Sequence, residues 1–135
     1  MPELEPDIIW TIAVVLTISA LVLGFFLLLY VIIMHNILYR RLDPILFHAP
    51  WFSNAELAMF SSWPLSLIKA VHYMFLLTYP SRSLKKRFIG LEQTLPVGIK
   101  LKIASKLYIL IHILFALLAI TWFLFGGTVY IIDNL

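Results

Sequence analysis

The chain has 135 residues, of which 62% are hydrophobic and only 13% charged, and its formal net charge is +3. Soluble globular proteins carry about 25% charged residues, so this composition leaves too little polar surface to coat a water-soluble particle. The sequence contains no cysteine, which excludes disulfides, thiolate metal sites and thiol nucleophiles.

Two long apolar stretches dominate the sequence. They run from Ile8 to Met34 and from Leu107 to Ile132, and neither contains a Lys, Arg, Asp or Glu. Each exceeds the roughly 20 residues that a helix needs to cross a hydrocarbon core of about 30 Å. The first does not resemble a signal peptide, because its flank is acidic, its apolar run is too long and no cleavage pattern follows. We predict an all-α integral membrane protein, one membrane domain over residues 1–135, with transmembrane helices at 7–38 and 103–132.

The basic residues all lie between these two stretches. All ten Lys and Arg residues lie between Arg40 and Lys106, together with only three acidic residues. The charged residues beyond the outer ends of the apolar stretches are all acidic: Glu3, Glu5, Asp7 and Asp133. The positive-inside rule therefore predicts a cytoplasmic loop over residues 39–102, with both termini outside. Anionic lipid headgroups are the expected partner of this loop; nucleic acid is not, because no recognition motif accompanies the basic residues.

Small residues recur at helical spacing inside both stretches. The first stretch carries Ala13, Thr17, Ala20 and Gly24, and the second carries His112, Ala116, Ala119 and Gly126, with Phe123 in the gap. Such stripes let helix backbones approach closely in lipid. Two explanations fit: the stripes pack against each other as an antiparallel pair, or one of them docks a membrane-protein partner or a second copy of the chain.

The loop contains turn and cap signals that predict two short helices. Asp43-Pro44 is expected to end the first long helix. Ser53 with Glu56 forms a capping-box pattern that opens a helix over residues 53–60. Pro64 then opens an apolar helix over residues 64–79, too short for a full span, which favours a place in the inner interface or against the two spans. A third span is the alternative, but it would put the basic residues 82–87 outside.

The basic residues of the loop are predicted to face the membrane surface and to anchor it there, with a specific lipid or protein contact as the alternative. These residues are Lys69, Arg82, Lys85, Lys86, Arg87, Lys100, Lys102 and Lys106.

The sequence contains few residues that could carry out catalysis or bind a cofactor. His35 and His112 lie at similar distances from the basic boundary and could ligate a haem or a metal, or relay protons. Histidines near an interface more often bond a carbonyl or a headgroup, and a haem needs a wider apolar pocket than two helices provide. No phosphate loop, paired carboxylates or Ser-His-Asp context is present. We therefore predict no cofactor, no metal and no enzymatic activity.

One short segment resembles a known family. Leu42-Asp43-Pro44-Ile45-Leu46-Phe47 follows the first span, and an aromatic loop, a basic run and a second span come after it. This order resembles the universal stress protein B family of small bacterial inner-membrane proteins. The resemblance implies a non-catalytic protein with a role in stress and transfers no catalytic residues. An accessory subunit of a respiratory or transport complex and a bis-His haem or metal carrier are the alternatives.

Overall fold

A computed structural model describes residues 6–134, and this part of the chain is all-α. The five helices of this part are α1 (Pro6–Leu46), α2 (Asn54–Phe60), α3 (Ser66–Thr78), α4 (Pro80–Lys86) and α5 (Ile99–Asp133). We call residues 47–98, between the long helices, the connecting segment. Glu3 and Glu5 of the predicted acidic flank lie outside the described residues. The prediction of two long apolar helices with shorter helices between them is confirmed.

The apolar parts of the two long helices are almost entirely exposed. α1 has 41 residues and α5 has 35, so both exceed the roughly 20 residues that a membrane span needs. Only 6% of the most apolar 18 residues of each helix is buried. By length and composition, both helices are therefore able to cross a membrane.

The first long helix does not end where the sequence predicted. α1 continues through Asp43 and Pro44 to Leu46, although Pro44 cannot donate a hydrogen bond to the Arg40 carbonyl. Leu38, Leu42 and Leu46 recur at spacings of four on one face of α1 and are fully buried. The burial of this face explains why the helix continues. The packing of this stripe offsets the lost hydrogen bond, and the prediction of a break at Asp43-Pro44 was wrong.

The chain divides into two compact units. Unit 1 comprises Met1–Leu27 with Ile111–Leu135, and unit 2 comprises Leu28–Leu110. Unit 2 therefore holds the second half of α1, the whole connecting segment and the first third of α5.

In unit 1 the small residues predicted on the first helix line the space towards α5. Trp122 donates its indole N–H to the Thr17 hydroxyl at 2.9 Å, and Thr17 in turn donates to the Ala13 carbonyl at 2.8 Å. The ring of Phe115 lies over Gly24, where a Cβ would come within 3.3 Å of it. Ala20 shares a small cavity with Phe115, Trp122 and other residues of both helices.

The face of α5 differs from the predicted stripe. Ala119 and Gly126 line cavities shared with the first helix, but Ala116 is exposed and Phe123 is 75% exposed. The large rings of Phe115 and Trp122 fill the facing positions instead. The contact thus combines small residues of both helices with the aromatic rings of Phe115 and Trp122.

Unit 2 has an aromatic core around Phe52, which is 1% exposed. The rings of Phe47, Phe60, Tyr73 and Phe88 have centroids 5.3–6.3 Å from it, all at steep angles. Edge-to-face packing of this kind adds about 0.5–1.5 kcal/mol per pair beyond the area it buries. Phe52 therefore packs α2, α3 and the residues that follow α4 against one another.

The short helices follow their local signals closely. α2 begins after Ser53, and both hydrogen bonds of the predicted capping box are present: Ser53 accepts from the Glu56 backbone and Glu56 accepts from the Ser53 backbone. α3 begins at Ser66, two residues after Pro64, and ends at Thr78 before Pro80. Its buried residues recur at spacings of three and four, which is the pattern of a helix packed on one side.

Replacing Gly24 with Leu should destabilise unit 1, because the new side chain starts 3.3 Å from the Phe115 ring. The matched control is Gly126→Leu, since a Cβ at Gly126 meets nothing within 4 Å. We expect a lower thermal unfolding temperature for the Gly24 variant in detergent, followed by circular dichroism, and little change for the control. Equal effects of the two substitutions would contradict the contact.

Candidate functional site

A buried ion pair joins the connecting segment to the end of α1. The Lys69 ammonium lies 2.5 Å from Oδ2 of Asp43, and the side chains are 3% and 15% exposed. The other carboxylate oxygen accepts a hydrogen bond of 2.8 Å from the Tyr73 hydroxyl. Lys69 and Tyr73 are four residues apart on α3, so both face the same carboxylate.

Aromatic rings complete the surroundings of the Lys69 ammonium. It lies 3.9 Å from the ring centroid of Phe47 and 5.5 Å from that of Tyr39. A desolvated ammonium over a ring gains about 2 kcal/mol or more. Burial, and then the Asp43 charge, raises the pKa of the Tyr73 hydroxyl, which therefore stays a proton donor. In the cluster of Asp43, Lys69 and Tyr73, each side-chain polar atom therefore has a hydrogen-bond partner, and the three side chains hold α3 against the end of α1.

Two predictions from sequence are corrected here. Lys69 was expected at the membrane surface, but it is buried, because a cation inside an apolar helix is far more stable against a carboxylate than against hydrocarbon. Asp43 was interpreted as a turn residue and its role was missed. The signal was available: a single Lys in the apolar helix α3 requires a partner, and Asp43 is one of only three acidic residues between the long apolar stretches.

A second ion pair holds the basic end of the connecting segment. Arg87 donates to Oε1 of Glu56 at 2.7 Å and to the Trp51 carbonyl at 3.3 Å. Its guanidinium lies 5.0 Å from the centroid of the Phe52 ring. Arg87 was predicted to face headgroups; it is instead half-buried and turned towards α2, because the cap residue Glu56 presents a carboxylate oxygen to it.

These contacts shift two pKa values. The hydrogen bond from Arg87, helped by the Ser53 backbone N–H, lowers the pKa of Glu56 to about 2. Burial lowers the pKa of His72, and the charge of Arg87 lowers it further, while Glu56 acts in the opposite direction. At neutral pH the connecting segment therefore contains a charged Glu56–Arg87 pair beside a neutral imidazole.

The other predicted membrane-surface residues are exposed. They are Arg82, Lys85 and Lys86 of α4, and Lys100, Lys102 and Lys106 of α5. Within residues 6–134 none of the six makes an ion pair. Trp51, whose indole N–H donates to the Ile89 carbonyl at 2.9 Å, secures the loop that follows α4.

The two candidate cofactor histidines belong to different units. His35, in unit 2, stacks on Tyr39 with centroids 5.9 Å apart, and its buried Nε2 has no hydrogen-bond partner among residues 6–134. His112, in unit 1, is exposed, with its ring 6.5 Å from that of Phe115. A haem or metal held by the two histidines, which was the alternative to the predicted absence of a cofactor, stays untested.

The described residues offer little for acid–base or metal chemistry. From residue 6 to residue 134, no three His, Cys, Asp or Glu side chains come together as a ligand set. Asp43 and Glu56 are both paired with cations. The exposed surface of α4 and of the start of α5 is basic.

Comparison with known proteins adds no assignment: no protein-family model, curated protein or solved structure matches this chain. The resemblance to the universal stress protein B family thus stays a prediction that rests on residues 42–47 and the order of the elements.

Replacing Lys69 with Met should destabilise the connecting segment by about 3–5 kcal/mol, because it leaves the Asp43 carboxylate without its buried counter-ion. The double variant Asp43→Asn/Lys69→Met should recover part of this loss, since it removes both charges while an amide oxygen at position 43 still accepts from the Tyr73 hydroxyl. Sensitivity of the segment to chymotrypsin across a temperature series measures both. Lys85→Met, at an exposed position, is the control and should change stability by less than about 0.5 kcal/mol.

The Glu56–Arg87 pair should make stability depend on pH at the acidic end. The pKa of Glu56 in the folded chain is about 2, below its ordinary value of 4.5, so the unfolded state takes up the proton first. The contribution of the pair is therefore complete above about pH 4.5 and is lost as the pH falls towards 2.

Thermal unfolding at pH 5 and pH 3 should show a larger drop for the wild type than for Arg87→Gln, which has no pair to lose. The difference should be modest, because the Glu56 side chain is 28% exposed. A variant with the same pH dependence as the wild type would contradict the role of the pair.

Proposed function

We propose that the chain is a non-catalytic integral membrane protein of the bacterial inner membrane, with α1 and α5 as its two spans. The observation that carries this proposal is the exposure of the long helices: only 6% of the most apolar part of each is buried. A water-soluble protein does not present helices of 41 and 35 residues with bare Leu, Ile, Val and Phe side chains to water. Lipid is the solvent that removes this cost.

The charges support a cytoplasmic connecting segment with both termini in the periplasm. Unit 1 contains no Lys or Arg, and its charged residues in the described part are Asp7 and Asp133, both exposed. All ten basic residues belong to unit 2. Cytoplasmic loops carry such an excess of Lys and Arg near the ends of spans.

The surface of the connecting segment supports contact with the inner leaflet. α3 has 13 residues, about 20 Å of helix, which is too short for a hydrocarbon core of about 30 Å. Apolar side chains around its start are nevertheless exposed, with Met59 at 47%, Trp63 at 72% and Ile68 at 43%. An interfacial helix buries such side chains among acyl chains while its polar neighbours stay at the headgroups.

The biological role that we attach to this architecture is a membrane stress function, which rests on the family resemblance of residues 42–47. In this proposal the protein acts by binding at the membrane surface and catalyses no reaction. The carboxylates Asp43 and Glu56 hold the connecting segment together, which agrees with a binding role.

Single cysteines test the topology, because the chain has none of its own. In intact cells, a membrane-impermeant maleimide should label Asn134→Cys directly and should label Gln93→Cys only after the inner membrane is permeabilised. Both positions are exposed in the structure. The cysteine-free parent is the control for background labelling. Labelling of Gln93→Cys in intact cells, or release of the protein by alkaline carbonate, would refute the proposal.

A further inference from the structure

A basic cavity lies between α3 and α4. Its volume is about 250 Å³, and it is lined by His72 and Phe75 of α3, by Arg82 and Lys86 of α4, and by Arg87 and Phe88 that follow α4. Pockets for drug-sized molecules have about 300–1,000 Å³. The cavity is therefore sized for a small group such as a headgroup phosphate.

Two of the three cations of this cavity, Arg82 and Lys86, have no counter-charge among residues 6–134, whereas Arg87 is paired with Glu56. No Asp or Glu is among its described lining residues, and Arg82 and Lys86 make no hydrogen bond or ion pair with any residue from 6 to 134. The two cations are four residues apart on a helix of only seven residues, where like charges repel each other. An anion between them would turn this repulsion into attraction.

Arg87 gives the cavity a fixed donor. Its guanidinium is held by Glu56, the Trp51 carbonyl and the Phe52 ring, so its orientation is set before any ligand arrives. Two of its nitrogens donate to protein, whereas a guanidinium carries five N–H groups. The remaining groups suit the oxygens of a phosphate, for which arginine has the matching geometry.

The walls of the cavity distinguish it from a purely polar ion site. Phe75 and the buried Phe88 provide apolar surface beside the cations. Burial keeps the neighbouring His72 neutral, with its pKa below the ordinary value, so the imidazole is available as a hydrogen-bonding group. A ligand that combines a phosphate with an apolar portion matches these walls.

We propose that the α3–α4 cavity is a binding site for a phosphate group, with the phosphodiester of an anionic phospholipid as its source in the membrane. This inference deepens the proposed function and rests on it for the lipid source. Free phosphate shares the same chemistry and is the other source. Arg82, Lys86 and Arg87 contact the phosphate oxygens, and Phe75 lies along the apolar portion.

Native mass spectrometry of the full chain in detergent tests the site. The protein is offered equal concentrations of phosphatidylglycerol and phosphatidylcholine, and inorganic phosphate in a separate series. We expect one phosphatidylglycerol to be retained in preference to phosphatidylcholine. Arg82→Gln and Lys86→Gln should each weaken this retention about fivefold, the effect of one Lys or Arg near an anionic surface.

Lys85→Gln is the matched control, because Lys85 is an exposed lysine of the same helix that does not line the cavity. A diffuse attraction to anionic lipid would respond equally to the loss of Lys85 and of Lys86, and this result would overturn the site. Equal retention by wild type and all three variants would overturn it as well. The same ranking of variants with inorganic phosphate and no lipid preference would support the site with free phosphate as its ligand.

Flotation with vesicles of pure phosphatidylcholine separates failure of this site from failure of the proposed function. Insertion into such vesicles depends on α1 and α5 and should be the same for wild type and variants. Wild-type protein that does not insert would refute the proposed function, whereas normal insertion with no phosphate-dependent binding would refute the site alone. Circular dichroism of each variant confirms that the exposed substitutions leave the helices intact.

Discussion

The ion pair between Lys69 and Asp43 is the contact on which the arrangement of unit 2 depends. It joins α3 to the last turns of α1 across 26 residues of sequence, and both partners lie away from solvent. A buried ammonium without a partner costs several kcal/mol, so α3 has one orientation in which its cation is satisfied. Tyr73, which donates to the same carboxylate, fixes the rotation of the helix as well as its position.

Once α3 is oriented, the rest of the connecting segment follows from packing. The face that carries Lys69 and Tyr73 also carries Met74 and Leu77, all of them buried. Phe52 fills the space between α2 and α3, and Arg87 lies over its ring while it pairs with Glu56. The basic helix α4 is thereby held beside α3, with Arg82 and Lys86 lining the cavity between the two helices and Lys85 exposed.

The long helices impose a different constraint. Inside unit 1 the described contacts between them include a side-chain hydrogen bond between Thr17 and Trp122 and the close approach of Phe115 to Gly24. Helix pairs in lipid associate through such close packing and hydrogen bonds, because apolar surface gains nothing by leaving the acyl chains. The extensive apolar exposure of α1 and α5 and the sparse contact between them in this unit have the same physical explanation.

The amino-acid sequence by itself determined the features that depend on local or periodic signals. Two uncharged apolar stretches predicted the long helices, Ser53 with Glu56 predicted the start of α2, and the apolar run opened by Pro64 predicted α3. It misjudged the positions at which a distant partner overrides the local preference. Pro44 did not end α1, because Leu42 and Leu46 pack on the same stripe as Leu38, and Phe115 rather than Ala116 came to face the first helix.

Only the tertiary structure decided which basic residues form ion pairs and which stay unpaired. Lys69 and Arg87 look like the other basic residues in the sequence, yet each pairs with a carboxylate 26 or 31 residues earlier in the chain, and Lys69 is buried by that pairing. Such pairings depend on which faces the folded helices turn towards each other, and one sequence carries no direct record of that. The net charge of the loop therefore follows from its composition. Which of its basic residues hold the helices together, and which form the exposed basic surface, depends on the fold.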